Sequence, residues 1–259
     1  MSTQPEPASE NTFLKRGIYL LPNLLTIIGL FAGFLSIVSG MKGYFNTAAQ
    51  AIFVAMIMDA LDGRVARMTN TQSRFGMELD SLSDAVSFGV APALIMYSWS
   101  LTTLGKLGWL GAFIFTASGI LRLARFNTQA AHADKRYFQG LPIPAAAGLL
   151  MSVVWIWFDY TTQNKAFTLS MLIMTVLAGL LMVSNIRFYS FKEFNLGNRV
   201  PFLDILVAVL TLVCIALNPP VLLFVLFLGY ALSGPVMTLL TLRQRRKKRI
   251  QMHKEHHKS

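Results

Sequence analysis

The sequence predicts an all-α, polytopic membrane protein with about eight transmembrane helices. Of the 259 residues, 54% are hydrophobic and only 14% are charged, whereas soluble domains carry about 25% charged residues. Apolar runs of about 18 residues or more, each long enough to cross roughly 30 Å of hydrocarbon, recur along almost the whole chain. The strongly polar stretches lie at the two ends, so we expect one membrane domain and no soluble domain.

Local chemistry marks the boundaries between the predicted spans. Glycine, proline, asparagine or charged residues interrupt the apolar runs, for example at 40–43 and 218–220. These patterns divide the chain into an N-terminal segment 1–18, a membrane domain 19–241 and a basic tail 242–259. The eight predicted spans are 19–39, 46–67, 77–101, 107–126, 141–160, 167–185, 201–217 and 219–241.

The distribution of positive charge predicts the orientation of these spans. If the N-terminus is cytoplasmic, 20 of the 23 Lys and Arg residues lie in cytoplasmic segments or at cytoplasmic span ends. The opposite side then receives only Lys42, Lys106 and Lys165. By the positive-inside rule, this asymmetry predicts a multi-pass protein of the cell membrane with both termini in the cytoplasm.

The net charge of +11 does not indicate a nucleic-acid partner. The basic residues lie in loops and at span ends, and the densest cluster, 243–249 (RQRRKKR), follows the last predicted span. Such a cluster beside a membrane is typical of a segment that binds anionic lipid and fixes topology. We therefore expect anionic membrane lipids, and no nucleic acid, among the partners.

Four aspartates occupy the cytoplasmic ends of the second and third predicted spans: Asp59, Asp62, Asp80 and Asp84. An unpaired carboxylate at the membrane centre costs roughly 2.5–3.5 kcal/mol on insertion scales, so these groups need a cation, a water-filled cavity or both. Spacings of three and four residues place each pair on one helical face, and a short turn lets the two pairs converge. Hard oxygen ligands suit Mg²⁺, Mn²⁺ or Ca²⁺, and four acids could neutralise two divalent ions.

Small and basic residues between the aspartates are compatible with a phosphate ligand. Gly63 and Ala66 lie on the same side of the second span as the first two acids, where they let a ligand or another helix approach the backbone. Arg67 lies at the end of that helix and is suited to a phosphate. Gly76 opens the third span at a point where a bulky side chain would obstruct. Taken singly, each small residue could equally serve helix packing.

The spacing of these residues resembles the signature of the CDP-alcohol phosphatidyltransferase family at all eight of its fixed positions. The resemblance implies a membrane helical bundle that displaces CMP from a CDP-linked lipid with an alcohol nucleophile. In that family, the first three acids are metal ligands, and the fourth is the general base and can also contact a metal. The matching residues are Asp59, Asp62, Gly63, Ala66, Arg67, Gly76, Asp80 and Asp84.

The resemblance implies roles for individual residues of this chain. Asp59, Asp62, Asp80 and Asp84 are expected to bind Mg²⁺ or Mn²⁺, two ions in all, with Ca²⁺ binding non-productively. Asp84 is also expected to be the catalytic base. The segment 21–26 resembles the entry motif of the family. The expected nucleotide-binding residues are Asn23, Thr26, Asp62, Gly63, Ala66, Arg67 and Gly76.

Three further segments, 122–127, 140–145 and 186–192, resemble the membrane-type phosphatidylserine synthases of bacteria and archaea. This resemblance implies CDP-diacylglycerol and L-serine as substrates, CMP as a product and a homodimer as the assembly. The carboxylate of serine would favour an arginine fork. The candidates for binding serine or phosphate are Arg122, Arg125, Asn127 and Lys192.

Two alternatives remain open from the residues alone. A sister enzyme of the same fold would use glycerol 3-phosphate, choline or inositol, and glycerol 3-phosphate would also favour arginines. A cation transporter would also place acids within the membrane, but a transport path needs polar residues through its full depth. Here the acids crowd one side, and the sequence has no matching polar set near the opposite ends of the predicted spans.

Overall fold

The computed structural model describes residues 10–129, 137–159, 164–189, 209 and 217–256. This part of the chain is mostly helical, and a π-helical turn, Ala85–Val90, joins two of the helices end to end. A short 3₁₀ helix, Leu101–Leu104, precedes the fifth α-helix. The α-helices are α1 (Glu10–Met41), α2 (Phe45–Met68), α3 (Arg74–Asp84), α4 (Ala91–Trp99), α5 (Lys106–Gln129), α6 (Ile143–Trp157), α7 (Lys165–Val183) and α8 (Pro219–His256).

Five helical segments of the described chain are long and apolar enough to cross a membrane. The predicted all-α, polytopic membrane class is therefore confirmed. The count of eight spans stays a prediction, because 201–217 lies outside the described residues except at positions 209 and 217. The five segments are Leu20–Met41, Arg74–Trp99, Lys106–Thr128, Lys165–Val183 and Pro219–Leu240.

Two other predicted spans correspond to helices of a different character. α2 has 24 residues, but its second half carries Asp59, Asp62, Arg64 and Arg67 and is correspondingly polar. α6 has 15 residues, about 22 Å of helix, so the predicted span 141–160 was too long. The helix starts after Pro142, whose backbone is extended, and eleven of its residues are buried. Other helices, and not lipid, therefore surround most of α6.

α1 and α2 pack side by side and fix the first half of the site. Small residues allow the two helices to approach closely. At Gly29, for example, an added side-chain carbon would lie 3.6 Å from the carbonyl oxygen of Ala55. Further along the same interface, Ser36 Oγ donates a hydrogen bond of 2.6 Å to the carbonyl oxygen of Ala48. A buried hydroxyl without a partner is costly, so this bond favours one register of α1 against α2.

The π-helical turn after α3 is held tightly against α1. A side-chain carbon added at Gly33 would lie 2.9 Å from the Cα of Ser87 and closer still to its side chain, so this position requires glycine. Ser87 Oγ donates to the carbonyl oxygen of Gly29 at 3.5 Å, and Ser83 Oγ donates to that of Thr26 at 3.4 Å. These contacts fix the rotation of α3 about its axis and hence the direction of its two aspartates.

Two short strands, which the sequence did not predict, follow α5 and α7 and pair as an antiparallel sheet. Its strands are β1 (Tyr137–Gln139) and β2 (Arg187–Tyr189). Gly140 then turns the chain with a φ of +77°, and a side chain there would collide with the backbone of Met182. Glycine is required at this turn for both reasons, because the left-handed region penalises a Cβ atom and the neighbouring helix leaves it no room.

Candidate metal and substrate site

Three carboxylates, two from α2 and one from α3, meet beside α1. Asp59, Asp62 and Asp80 each offer an oxygen, and these atoms all lie within 4.8 Å of one another. Asp62 is buried, and the other two are partly buried. Negative charges this close repel one another unless a proton or a cation lies between them. The structure thus brings together the acids of two helices at one point, where a cation would lower their repulsion.

Asp84, the last residue of α3, belongs to the same pocket but makes a separate contact. Its carboxyl group lies near that of Asp59 and lines the pocket together with Asp62 and Asp80. Asp84 is thus placed beside the other three acids.

The pocket between α1, α2 and the α3–π-turn segment contains all four aspartates. The space between its atoms amounts to about 180 Å³, the open mouth included. Ser83 and Ser87 line this pocket and were not predicted from the sequence. Each follows an aspartate, Asp80 or Asp84, by three residues, and this helical spacing could have indicated them. The lining residues are Thr26, Gly29, Ala55, Asp59, Asp62, Asp80, Ser83, Asp84, Ser87 and Phe88.

Thr26 connects α1 to the acids of α2. Its Oγ1 lies 2.6 Å from Oδ2 of Asp62 and 3.1 Å from the carbonyl oxygen of Pro22, one turn earlier in α1. Only 5% of the surface of Thr26 is exposed. The sequence predicts a nucleotide contact for this residue, whereas the structure places its hydroxyl against one of the three clustered carboxylates.

The other nucleotide-binding candidates lie near the ends of α2 and α3. Asn23 of α1 lies close to Gly76 of α3. A side-chain carbon added at Gly76 would be only 3.0 Å from Oδ1 of Asn23. Arg67 is exposed, and its Nη1 would lie 3.9 Å from a carbon added at Gly63, so this side chain passes over the glycine. Ala66 is partly buried on the same helix. These residues border the acidic pocket and are not part of its lining.

α5 runs antiparallel to the α3–π-turn segment, as two hydrogen bonds show. Thr116 Oγ1 donates to the carbonyl oxygen of Gly89 at 3.2 Å. Eleven residues later, Asn127 Nδ2 donates to Oγ of Ser81 at 2.9 Å. Arg122 lies between these two contacts, so α5 carries it to the level of the acids on α3.

Arg122 is buried, with 7% of its surface exposed. Its guanidinium group lies close enough to Asp84 for their charges to attract each other. Its Nε atom is buried and has no hydrogen-bond partner within the described part of the chain. A buried polar atom of this kind is unfavourable without a ligand or water, so the side chain is poised to bind an additional acceptor.

Arg125, three residues later, is engaged with the C-terminus of α7. Its guanidinium group donates to the carbonyl oxygens of Met182, Val183 and Ser184 and to Oδ1 of Asn185, at 3.1–3.3 Å. The last carbonyl groups of a helix lack partners within the helix, and a cation there also complements the helix dipole. Arg125 therefore caps α7, a use that its spacing from Arg122 did not indicate.

The structure separates the four candidates for binding serine or phosphate. Arg122 faces the acids, Arg125 caps α7, and the amide of Asn127 holds α5 against α3. Lys192 lies outside the described residues. Burial and hydrogen bonding thus distinguish residues that the sequence pattern treats as one group.

The clustered donors fit a hard divalent cation. All three are carboxylate oxygens, which Mg²⁺, Mn²⁺ and Ca²⁺ prefer over the nitrogen and sulfur ligands typical of zinc. Two oxygens on opposite sides of one ion are about 4.2 Å apart for Mg²⁺ and about 4.6–5.2 Å apart for Ca²⁺. The three oxygens lie within 4.8 Å of one another, so small side-chain rotations would let one ion contact all of them.

The chain matches a family of known proteins over the part that forms this site. Residues 19–189 match the family model described as CDP-alcohol phosphatidyltransferase. The matched range runs from α1 to β2 and contains the four aspartates and Arg122, whereas α8 follows it.

Several curated proteins that carry the name CDP-diacylglycerol–serine O-phosphatidyltransferase are similar to this chain. The protein of Helicobacter pylori is 43% identical over 176 residues, which cover 68% of this chain and 74% of that protein. The protein of Bacillus subtilis is 38% identical over 173 residues, which cover 67% of this chain and 92% of that protein. The protein of Mycobacterium leprae is 31% identical over 224 residues, which cover 84% of this chain and 74% of that protein.

Proposed function

This chain belongs to the CDP-alcohol phosphatidyltransferase family, and from that premise we propose that it transfers the phosphatidyl group of CDP-diacylglycerol to the hydroxyl of L-serine and releases CMP. The observation that carries the proposal is the meeting of Asp59, Asp62 and Asp80 in one pocket with Asp84. The names of the three relatives support CDP-diacylglycerol and serine as the substrate pair.

Asp59, Asp62 and Asp80 would hold Mg²⁺ or Mn²⁺, and Asp84 is close enough to contact a second ion. When bound, such ions supply positive charge that offsets the charge of the diphosphate and of the departing CMP. The protein contributes carboxylates on two helices that both pack on α1, so little rearrangement is needed when the substrate binds. Ca²⁺ tolerates less regular coordination than Mg²⁺, and we expect it to bind without supporting turnover.

Asp84 is the general base in this proposal. It accepts the proton of the serine hydroxyl, whose oxygen forms a bond to the β-phosphorus of CDP-diacylglycerol. The bond from that phosphorus to the bridging oxygen breaks, and this oxygen leaves on CMP. A single displacement of this kind inverts the configuration at phosphorus. Retention of configuration would indicate a covalent phosphatidyl-enzyme and would exclude direct attack.

The nucleotide is proposed to bind beside the acids, near the ends of α2 and α3. Small residues leave space for it there, and the exposed guanidinium group of Arg67 could contact a phosphate. The close approach of Asn23 to α3 provides a side-chain amide at the edge of the same region. The proposed nucleotide contacts are Asn23, Asp62, Gly63, Ala66, Arg67 and Gly76.

Arg122 is proposed to bind the carboxylate of serine. Its burial excludes competing water, and its Nε has no partner within the described residues, so Nε and an Nη can form a paired contact to a carboxylate. Arg125 is committed to the end of α7. One guanidinium group near the acids suits the single negative charge of a carboxylate better than the two charges of glycerol 3-phosphate. Lys192 remains a second candidate for this site.

The chain is proposed to lie in the cell membrane with the site and both termini facing the cytoplasm. The asymmetry of Lys and Arg supports this orientation. In this arrangement, 1–18 is a cytoplasmic segment, 19–241 is the catalytic membrane domain, and 242–259 is a basic tail that binds anionic lipid. A homodimer is the proposed assembly.

Thiol labelling in intact cells tests the orientation. After Cys214→Ala removes the native thiol, single cysteines are introduced by Lys42→Cys or Arg64→Cys. A membrane-impermeant reagent should label position 42 and leave position 64 unlabelled until the cells are opened. The reverse pattern would invert the proposed topology.

Substrate discrimination tests the reaction itself. Purified protein receives CDP-diacylglycerol and Mg²⁺ or Mn²⁺ together with labelled serine, glycerol 3-phosphate, choline or inositol in separate reactions. We expect labelled lipid and an equal amount of CMP with serine, and formation of both at least about 10²-fold slower in the Asp84→Asn control. Product with a different alcohol alone would assign a sister activity, and no product with any alcohol would contradict the proposal.

A further inference from the structure

Thr26 contacts both helices that carry the aspartates. Its hydroxyl lies 2.6 Å from Oδ2 of Asp62 on α2. Its carbonyl oxygen accepts a hydrogen bond of 3.4 Å from Oγ of Ser83, which lies between the two aspartates of α3. One residue of α1 is thus hydrogen-bonded to α2 through its side chain and to α3 through its backbone.

The direction of the short hydrogen bond follows from the state of the acid. A carboxylate that binds a metal ion is ionised and can only accept hydrogen bonds, so Thr26 must donate to Asp62 in that state. The competing acceptor, the carbonyl oxygen of Pro22, is farther away at 3.1 Å. Because the hydroxyl has one hydrogen, the donation to Asp62 leaves it none for another acceptor.

The surroundings leave this pair little freedom. Thr26 and Asp62 are each 5% exposed, so water does not readily replace the hydroxyl as a donor. A threonine side chain in a helix is also restricted to few rotamers, and the donation of 2.6 Å selects the orientation of the carboxylate plane. Partners of metal-binding side chains commonly orient them in this way, and their loss typically costs about 10- to 100-fold in metal affinity or activity.

We propose that Thr26 is a positioning residue that orients the carboxylate of Asp62 for divalent-cation binding and donates no hydrogen bond to the nucleotide. The inference rests on the proposed metal site. It assigns to the α1 motif at 21–26 a contribution to metal affinity, in addition to the proposed amide contact of Asn23.

The test measures Mn²⁺ binding directly, by the loss of the free-ion electron paramagnetic resonance signal as purified protein is added. Thr26→Val keeps the shape of the side chain and removes the donor, and we expect it to weaken Mn²⁺ binding about 10- to 100-fold. Its KM for CDP-diacylglycerol at saturating Mn²⁺ should remain that of the unchanged protein. Thr26→Ser keeps the hydroxyl and should restore Mn²⁺ affinity.

Ser36→Ala is the matched control. Ser36 is buried in the same α1–α2 interface and donates to the backbone of Ala48 at 2.6 Å, away from the acids. Removal of this hydroxyl tests whether any lost hydrogen bond between α1 and α2 weakens Mn²⁺ binding. We expect the Mn²⁺ affinity of Ser36→Ala to equal that of the unchanged protein.

Three results would overturn the inference while leaving the proposed function intact. These are an unchanged Mn²⁺ affinity in Thr26→Val, an equal loss in Ser36→Ala, or a raised KM for CDP-diacylglycerol in Thr26→Val with normal Mn²⁺ binding. If Thr26→Val does not fold, Thr26→Ser still decides, because a loss of affinity with the hydroxyl present would contradict the assignment. Failure of the unchanged protein to bind Mn²⁺ would overturn the proposed function itself.

Discussion

Nη1 of Arg125 lies 3.1 Å from the carbonyl oxygen of Val183, the last residue of α7. The same guanidinium group also donates to the carbonyl oxygen of Met182 in that helix and to Ser184 and Asn185 just beyond it. Arg122 is one turn away on α5 but is buried near Asp84, with its Nε unpartnered within the described chain. Two arginines that look equivalent in sequence therefore serve different purposes, and each can be tested separately.

Replacement of Arg122 should weaken serine binding selectively. Arg122→Gln removes the charge-assisted hydrogen bonds to the carboxylate, which contribute about 1.5–3 kcal/mol. We expect the KM for serine to rise about 10- to 100-fold, since each 1.4 kcal/mol is a factor of about ten. Steady-state kinetics with each substrate varied in turn would measure this, and an unchanged KM for serine would contradict the assigned contact.

Replacement of Arg125 should instead lower stability. Arg125→Gln leaves carbonyl groups at the end of α7 without their donor, and the expected loss of stability is about 2 kcal/mol. The melting temperature in detergent would fall, while the KM for serine of the folded fraction would stay close to its original value. A selective rise in that KM with normal stability would assign Arg125 to the substrate site after all.

Asp84→Asn should separate proton transfer from metal binding. The amide keeps the shape of the side chain but cannot accept the proton of serine, so we expect kcat to fall about 10²- to 10⁴-fold. Mn²⁺ binding by Asp59, Asp62 and Asp80 should persist. Asp80→Asn should weaken Mn²⁺ binding as well as turnover. Similar Mn²⁺ affinities in the two variants would contradict the assignment of proton transfer to Asp84 and metal binding to Asp80.

Gly33→Ala tests the contact between α1 and the π-helical turn. The added methyl group would overlap Ser87, and overpacking of this kind costs about 1–3 kcal/mol. Both the melting temperature and kcat should fall, because the turn immediately follows Asp84. Gly229→Ala is the control, since nothing lies within 4 Å of a carbon added there. Equal behaviour of the two variants would show that the close approach is unimportant.

Removal of divalent ions should abolish turnover reversibly. Chelation leaves the carboxylates of Asp59, Asp62 and Asp80 without a cation to offset the charge of the substrate diphosphate. We expect Mg²⁺ or Mn²⁺ to restore CMP release, and Ca²⁺ to compete with Mn²⁺ without restoring it. Full activity in chelator, after verified loss of bound metal, would contradict the proposed chemistry.

The helical membrane class and the meeting of the aspartates could both be read from the sequence. Long apolar runs predict spans because the hydrocarbon core excludes unpaired backbone groups. Spacings of three and four residues predict shared faces because the helical repeat is local. The length of α6 was predicted less well, since Leu141 and Pro142 are apolar but precede the helix. The pairing of β1 with β2 was missed because the strands are only three residues long and lie far apart in the sequence.

The sequence by itself determined that acids on two successive helices of a membrane protein would meet, because helical periodicity and hydrophobic length are set by neighbouring residues. Only the tertiary structure decided that Thr26 donates to Asp62, that Arg125 caps α7 and that Arg122 lies near Asp84. Those partners depend on how each helix is rotated and shifted against others far away in the chain. Close contacts at glycines such as Gly33 fix these rotations, and no local pattern records them.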